Sequence, residues 1–170
     1  MDVADLLVDG FGRIREETHA VLDGASRAVL VHRIDPDANS IAWLVWHLTR
    51  IQDDHVAHVA GVEQRWTGDG WYDRFGLPFP PEAHGYGHTS ADVARVDVDG
   101  ELLRGYFDAV HDVTIGYVGG LRAVDLDRIV DERWDPPVSL GVRLVSVIAD
   151  DLEHVGQAAF VRGVLERRRG

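Results

Sequence analysis

Cysteine is absent from the 170 residues, and so is lysine; every basic side chain other than histidine is arginine. Without cysteine there is no disulfide, no thiolate metal site and no cysteine nucleophile. Any metal must then be held by histidines and carboxylates, and any thiol chemistry needs a thiol from outside the chain. The lack of lysine points to a GC-rich genome rather than to a chemistry. Positive charge is scarce: 17 Arg against 29 Asp and Glu give a formal net charge of -12. That balance argues against nucleic acid and against an anionic membrane surface, both of which are bound by clustered cations. The single basic run, Arg167-Arg168-Arg169, reads as a helix end complementing its own dipole. No apolar run reaches the ~20 residues of a membrane span. The segment MDVADLLVDGFGRIREE is acidic and amphipathic, unlike a secretory leader, so a cytoplasmic location is expected.

What is present is helical periodicity. With 45% hydrophobic and 27% charged residues, the chain has the composition of a globular protein and the length of one domain, spanning 1–170. Four stretches carry apolar residues at helical spacing. The first covers 2–24, with Val3, Leu7, Ile14 and Val21 on one face, Asp2 as cap and Gly24 as stop. The second covers 39–60, capped by Asn39 or Ser40 and ended by Gly61, with Leu44, His47, Leu48 and Ile51 inward. The third covers 98–118, with Leu102, Leu103, Tyr106, Val110, Val113 and Tyr117 inward and Gly119-Gly120 closing it. The fourth covers 139–167, capped by Ser139, with Leu140, Leu144, Val147, Ile148, His154, Ala158, Val161 and Leu165 inward.

The connections differ in length, and that sets the topology. Residues 25–38 and 121–138 are moderate links, whereas 61–97 is long, irregular and rich in Gly, Pro and aromatics. A helix of twenty residues is about 30 Å long, and about ten extended residues retrace it. The long link can therefore run the length of a bundle and leave the second and third helices parallel. The expected fold is all-α, an up-down-down-up four-helix bundle with one long crossover. Trp66, Trp71, Tyr72, Phe75 and Phe79 make that crossover too aromatic for a free linker. It is expected to pack down, either as the wall of a pocket or as plain cover for the core.

Few residues could carry chemistry. His47 lies on the inner stripe of an otherwise apolar helix, where a satisfied core histidine and a metal ligand are both open readings. Asp150 and His154 stand four apart on the last helix, so both leave one face about 6 Å apart. They suit one metal ion or a plain ion pair. Asp151 is rotated about 100° from Asp150 and cannot serve equally well, and Glu153 is expected to face solvent. Joined across two facing helices, His47, Asp150 and His154 would make a three-ligand site with one position open, the arrangement of catalytic zinc. His55 sits about 12 Å from His47 along the axis and cannot join that shell. It either lines the same cavity or, with Asp53, Asp54 and His58, belongs to a solvated helix end. Asp54 could also orient a nearby histidine. His84 and His88, around Gly85-Tyr86-Gly87, are exposed loop residues or contacts for a substrate anion. No dinucleotide fingerprint, P-loop, nucleophile elbow or His-Glu-x-x-His is present.

The segments SIAWLVWHLTRIQDDHV, WTGDGWYDRFGL with HGYGHT, and VRLVSVIADDLEHVGQAAFVRGVL resemble the DinB-like superfamily over nearly the whole chain. That group includes metal-dependent thiol transferases and a mycothiol-dependent maleylpyruvate isomerase. The resemblance implies an up-down-down-up bundle, often a homodimer, and zinc or nickel held by three side chains. By position these are His47, Asp150 and His154. Many members have histidine where this chain has Asp150. The mycothiol-dependent branch uses a carboxylate there, usually glutamate, which is one methylene longer. The implied activity is S-transfer or isomerisation with a small thiol, mycothiol, attacking an electrophile such as an epoxide, quinone, halide or activated alkene. Mycothiol also suits a cysteine-free chain from a GC-rich source. The rival reading is a non-catalytic helical dimer that binds a metal or ligand.

Overall fold

Each long helix begins at a side chain that satisfies its first free N–H groups. The structure, a computed structural model, describes residues 1–168. Helix α1 (Val3–Leu22) starts in a capping box between Asp2 and Asp5. After a short α2 (Arg27–Leu30), α3 (Ile41–Ala60) is capped by Ser40, whose hydroxyl accepts from Trp43 N–H, and ends on left-handed Gly61. The 61–97 link contains three short helices, α4 (Arg65–Gly68), α5 (Trp71–Phe75) and α6 (Ser90–Val93). Asp99 then caps α7 (Gly100–Val118), and Ser139 caps α8 (Leu140–Arg167). Arg167 ends α8 and Arg168 is its cap; Arg169 lies outside the described residues.

The chain is mostly helical rather than all-α. Between α7 and α8 a 3-10 turn (Ala123–Asp127) leads into a small antiparallel hairpin of β1 (Ile129–Asp131) and β2 (Val138–Ser139). Nothing in the alternation of so short a pair distinguishes it from loop. Asp131 anchors the hairpin by accepting from Arg133 at 2.8 Å and from Arg143 of α8 at 3.1 Å. The two guanidiniums hold its carboxyl well below the usual carboxylate range.

The four long helices enclose one core. Both α1 and α3 pack against both α7 and α8, and the α3–α8 seam is the most extensive. Contacts between α3 and α7 include Gln52 with Thr114 and the Tyr117 hydroxyl with the Val59 carbonyl. Between α3 and α8, His47 meets His154 and His55 meets Arg143. The inner stripe of α7 is rotated from the expectation. Phe107, His111, Thr114 and Val118 are buried with Leu103, Tyr106 and Val110, while Val113 and Tyr117 are half-buried. Thr114 can turn inward because Gln52 donates to its hydroxyl at 2.7 Å.

Every residue from Ile41 to Arg50 is buried, not only one stripe, because the 61–97 link covers the outer side of α3. Trp66 packs against Trp46, Phe75 and Tyr106, with ring centroids at 6.3, 5.1 and 5.1 Å. Gly105 makes room for this cover: a Cβ there would lie 2.8 Å from Trp71 Cη2. A polar clamp sits beneath the rings. The Asp53 carboxylate, 3% exposed as a residue, accepts from Arg65 N–H (2.9 Å), Trp66 N–H (2.8 Å) and the Tyr106 hydroxyl (2.8 Å). Arg50, 1% exposed, donates to Ala83 O, Gln64 Oε1 and Tyr106 Oη, and lies 3.6 Å from Asp53. The solvated helix end expected at Asp53 is thus a buried ion pair. His58 does stand exposed.

Removing one partner of a buried, hydrogen-bonded pair strands the other, at a cost of about 3–5 kcal/mol. Asp53→Ala is expected to lower the urea unfolding free energy by that amount, with protease cleavage appearing first within 61–97. Asp9→Ala, which removes only a surface pair with Arg13, should leave the midpoint in place. Equal midpoints for the two variants would refute the clamp.

Candidate metal centre

His47 projects from the middle of the fully buried half of α3. Its ring stacks on Trp43 with centroids 4.7 Å apart. Its Nδ1 is hydrogen-bonded to the main-chain carbonyl of His84. A carbonyl only accepts, so Nδ1 carries the proton and Nε2 keeps its lone pair. Burial pushes the imidazole down to about 4, so at neutral pH it is uncharged. The contact depends on Gly85: a Cβ there would sit 2.7 Å from His47 Nδ1, and the residue has φ +99°. Only glycine takes that conformation without strain.

Across the seam, α8 brings Asp150 and His154 to the same place. His154 Nδ1 faces Gln157 Oε1 at 3.3 Å, which again leaves Nε2 as the free nitrogen, and that atom is 3.7 Å from Asp150 Oδ1. The two imidazole rings lie 4.8 Å apart, edge to face. One donor atom from each of His47, Asp150 and His154 lies within 4.8 Å of the other two. This is a candidate metal group of two imidazole nitrogens and one carboxylate, a set that suits zinc and its neighbours. The donors fit such an ion in two further ways. Asp150 Oδ2 is buried and has no hydrogen-bond partner among the described residues. Each histidine also has its other nitrogen engaged by a carbonyl oxygen, the arrangement that orients ligating imidazoles. Burial pushes the Asp150 carboxyl up, against the opposing pull of His154.

The neighbouring residues divide sharply. Asp151 is wholly buried, neither of its oxygens has a hydrogen-bond partner among the described residues, and burial pushes its carboxyl well up. It points away from the donor group, as its position on the helix requires, and Glu153 is exposed. His55 stays outside the metal group and lines a cavity with His84, Tyr86 and Asp150. Arg143 approaches both of its ring nitrogens, at 3.2 and 3.3 Å, and burial together with that cation lowers its affinity for a proton. His88 is not a free loop residue: its Nδ1 accepts from Trp43 Nε1 at 3.2 Å and its ring stacks on Trp46. The link thus contributes a backbone carbonyl to the site. Only the Gly-x-Gly spacing around Tyr86 hints at so close an approach.

Two measurements follow. The folded His47 value lies below the ordinary 6.5, so between about 4 and 6.5 the folded state binds fewer protons than the unfolded one. This residue therefore withdraws stability as pH falls through that window. In the metal-free protein, histidine-selective NMR should show His47 protonated at Nδ1 alone and titrating near 4; a midpoint at the ordinary value would contradict its burial as a neutral ligand. Gly85→Ala should push the link off His47 and weaken metal binding by about 10–100-fold. A chelator competition would read this, with the helical far-UV signal preserved. Unchanged affinity would show that the His84 carbonyl orients nothing.

Comparison with known proteins bears on the fold and the family. A conserved protein from Enterococcus faecalis, known from its crystal structure, superposes with a TM-score of 0.88 at 31% identity, covering 95% of this chain and 96% of that one. No curated protein matches. Residues 6–167 match the family described as mycothiol-S-transferase. That span holds the candidate metal group, α3, α7, α8 and all but the first three residues of α1, and the chain belongs to the mycothiol-S-transferase family of the DinB-like superfamily.

Proposed function

We propose that the chain is a single catalytic domain, residues 1–170, that joins the sulfur of mycothiol to an electrophilic substrate at a divalent metal held by His47, Asp150 and His154. Zinc is the first choice of metal and nickel the second. The observation that carries this reading is the convergence of the three donors within 4.8 Å on two facing helices, together with the family match. An up-down-down-up bundle is part of the reading. It is supported by the pairs Gln52–Thr114 and Val59–Tyr117, whose numbers rise together, and by His47–His154 and His55–Arg143, whose numbers run oppositely.

A divalent ion held there is a Lewis acid that favours thiolate over thiol at neutral pH. The chain's own residues supply the rest. His47 and His154 meet the ion as neutral donors whose orientation is set by His84 and Gln157. Asp150 brings one negative charge, so the donor set neutralises half of a divalent cation and leaves the remainder to attract an anionic sulfur. The indole of Trp43 lies against His47 and helps to exclude water from one side. His55 lines the cavity next to Asp150, with both of its ring nitrogens facing Arg143. No cysteine competes with the added thiol.

Metal analysis of the untagged protein tests the reading directly. The wild type should contain close to one equivalent of zinc or nickel, and His154→Ala should lose it while the helical signal largely survives. Wild type should then consume mycothiol with an epoxide or quinone faster than the spontaneous reaction, and only when metal is present. Metal binding without such consumption across a panel of electrophiles would move the assignment to a non-catalytic binding module. Full occupancy in His154→Ala would remove the site itself.

A further inference from the structure

The groove between α3 and α8 is not uniform along its length. On one side of the metal group, about one helical turn along each helix, lies a cavity of about 410 Å³ lined chiefly by Ile34, Ala38, Leu44, Gly156, Phe160 and Val161. Its one link to the metal group is Gln157, which lines the cavity and hydrogen-bonds His154. Phe160 stands at its wall 62% exposed, and a side chain at Gly156 would meet nothing within 4 Å. On the opposite side lies a cavity of about 320 Å³ lined by Ile51 and otherwise by Asp54, His55, His84, Tyr86, Ser146 and Asp150. Asp150 belongs both to this cavity and to the metal group. Tyr86 is 88% exposed, an aromatic face offered to whatever occupies the space.

Each end matches one kind of ligand surface. Carboxylates, imidazoles and a hydroxyl beside an exposed aromatic ring suit a body rich in hydroxyl groups, whose O–H groups donate to the acids and whose C–H face lies on the ring. At the apolar end only the amides of Asn39 and Gln157 could satisfy a polar group, and burying one against the remaining aliphatic and aromatic lining would be penalised. Its volume falls in the range of small-molecule sites.

Building on the transferase reading above, we propose that the α3–α8 groove holds its two substrates on opposite sides of the metal group. The hydroxylated body of the thiol occupies the Asp54–Tyr86 end, and a hydrocarbon arm of the electrophile occupies the Gly156–Phe160 end. The preferred electrophile is therefore one with an alkyl or aryl arm, not a small polar one. Selectivity for that arm resides in the 34–38 segment and the last third of α8, and none of the metal donors sets it.

Binding alone tests this, so the outcome does not depend on metal occupancy or turnover. The neutral fluorophore N-phenyl-1-naphthylamine probes the apolar end, and S-methylated mycothiol, followed by ligand-detected NMR, probes the polar end, each with and without added zinc. Filling the apolar cavity from either wall, with Gly156→Leu or Ala38→Leu, should weaken the fluorophore by about tenfold or more and leave the thioether unaffected. Tyr86→Ala and Asp54→Asn should weaken the thioether about fivefold or more and leave the fluorophore unaffected. Ala38 lies off α8, so agreement between the two cavity-filling variants excludes a local effect of the helix substitution. Loss of both probes in every variant, or of neither, would overturn the two-ended groove. So would a wild type that self-associates, binds no fluorophore and dissociates on Gly156→Leu, because the apolar end would then belong to a second copy. If the crossed pattern appears while no metal binds, the groove assignment stands and the metal reading fails.

Discussion

A single buried carboxylate governs where the longest irregular segment of this protein lies. Asp53 accepts the first two N–H groups of α4 and the Tyr106 hydroxyl, beside the guanidinium of Arg50. Arg50 in turn holds the Ala83 carbonyl, the residue before His84. The clamp thus spans the link from its beginning at Arg65 to the point where it reaches His47. The aromatic rings of the link pack on one another and on α3 and α7, but rings packed on rings could slide. Hydrogen bonds to a desolvated charge cannot be exchanged for water without a large penalty, so they fix the register. The metal group inherits that register, because its His47 is oriented by a carbonyl of the link and not by a neighbouring side chain.

Much of this was legible in the residues and some of it could not be. Asp2, Ser139 and the Asn39–Ser40 pair announce three of the helix starts as caps followed by apolar spacing, whereas the cap of the third, Asp99, went unread. Asp150 and His154 stood out because four residues of separation on a helix leaves few alternatives. His47 stood out because an imidazole within an apolar run demands a partner. Asp53 was misread for a sound reason: aspartates near a helix end are usually solvated, and its partners are backbone amides with no sequence signature of their own. The inward turn of Thr114 was hidden likewise, since only Gln52 makes burying its hydroxyl acceptable. The hairpin was too short to show alternation, and the role of the His84 carbonyl could not appear in any pattern of side chains.

Adjacent carboxylates on α8 show how finely one helix can partition chemistry. Asp150 reaches the seam, where two imidazoles and a polar cavity receive it. Asp151, one residue on, faces the interior with no hydrogen-bond partner among the described residues, and burial disfavours its charged form. The two side chains are chemically identical, and about 100° of helical rotation separates a candidate ligand from a buried acid. The all-histidine-and-carboxylate donor set follows from the same economy of residues, in a chain that has no thiol of its own.

The contact between the His84 carbonyl and His47 also has a thermodynamic reading. Any free energy by which the docked link strengthens metal binding must be returned in full as extra docking of the link when the metal is present, because the two equilibria share one cycle. The 61–97 segment closes a loop between α3 and α7, not a detachable flap, so its docking is part of the folded state as a whole. If the donor group binds a metal as proposed, supplying or withholding that metal would therefore tune the protease sensitivity of the 61–97 segment, which contributes no donor to the group.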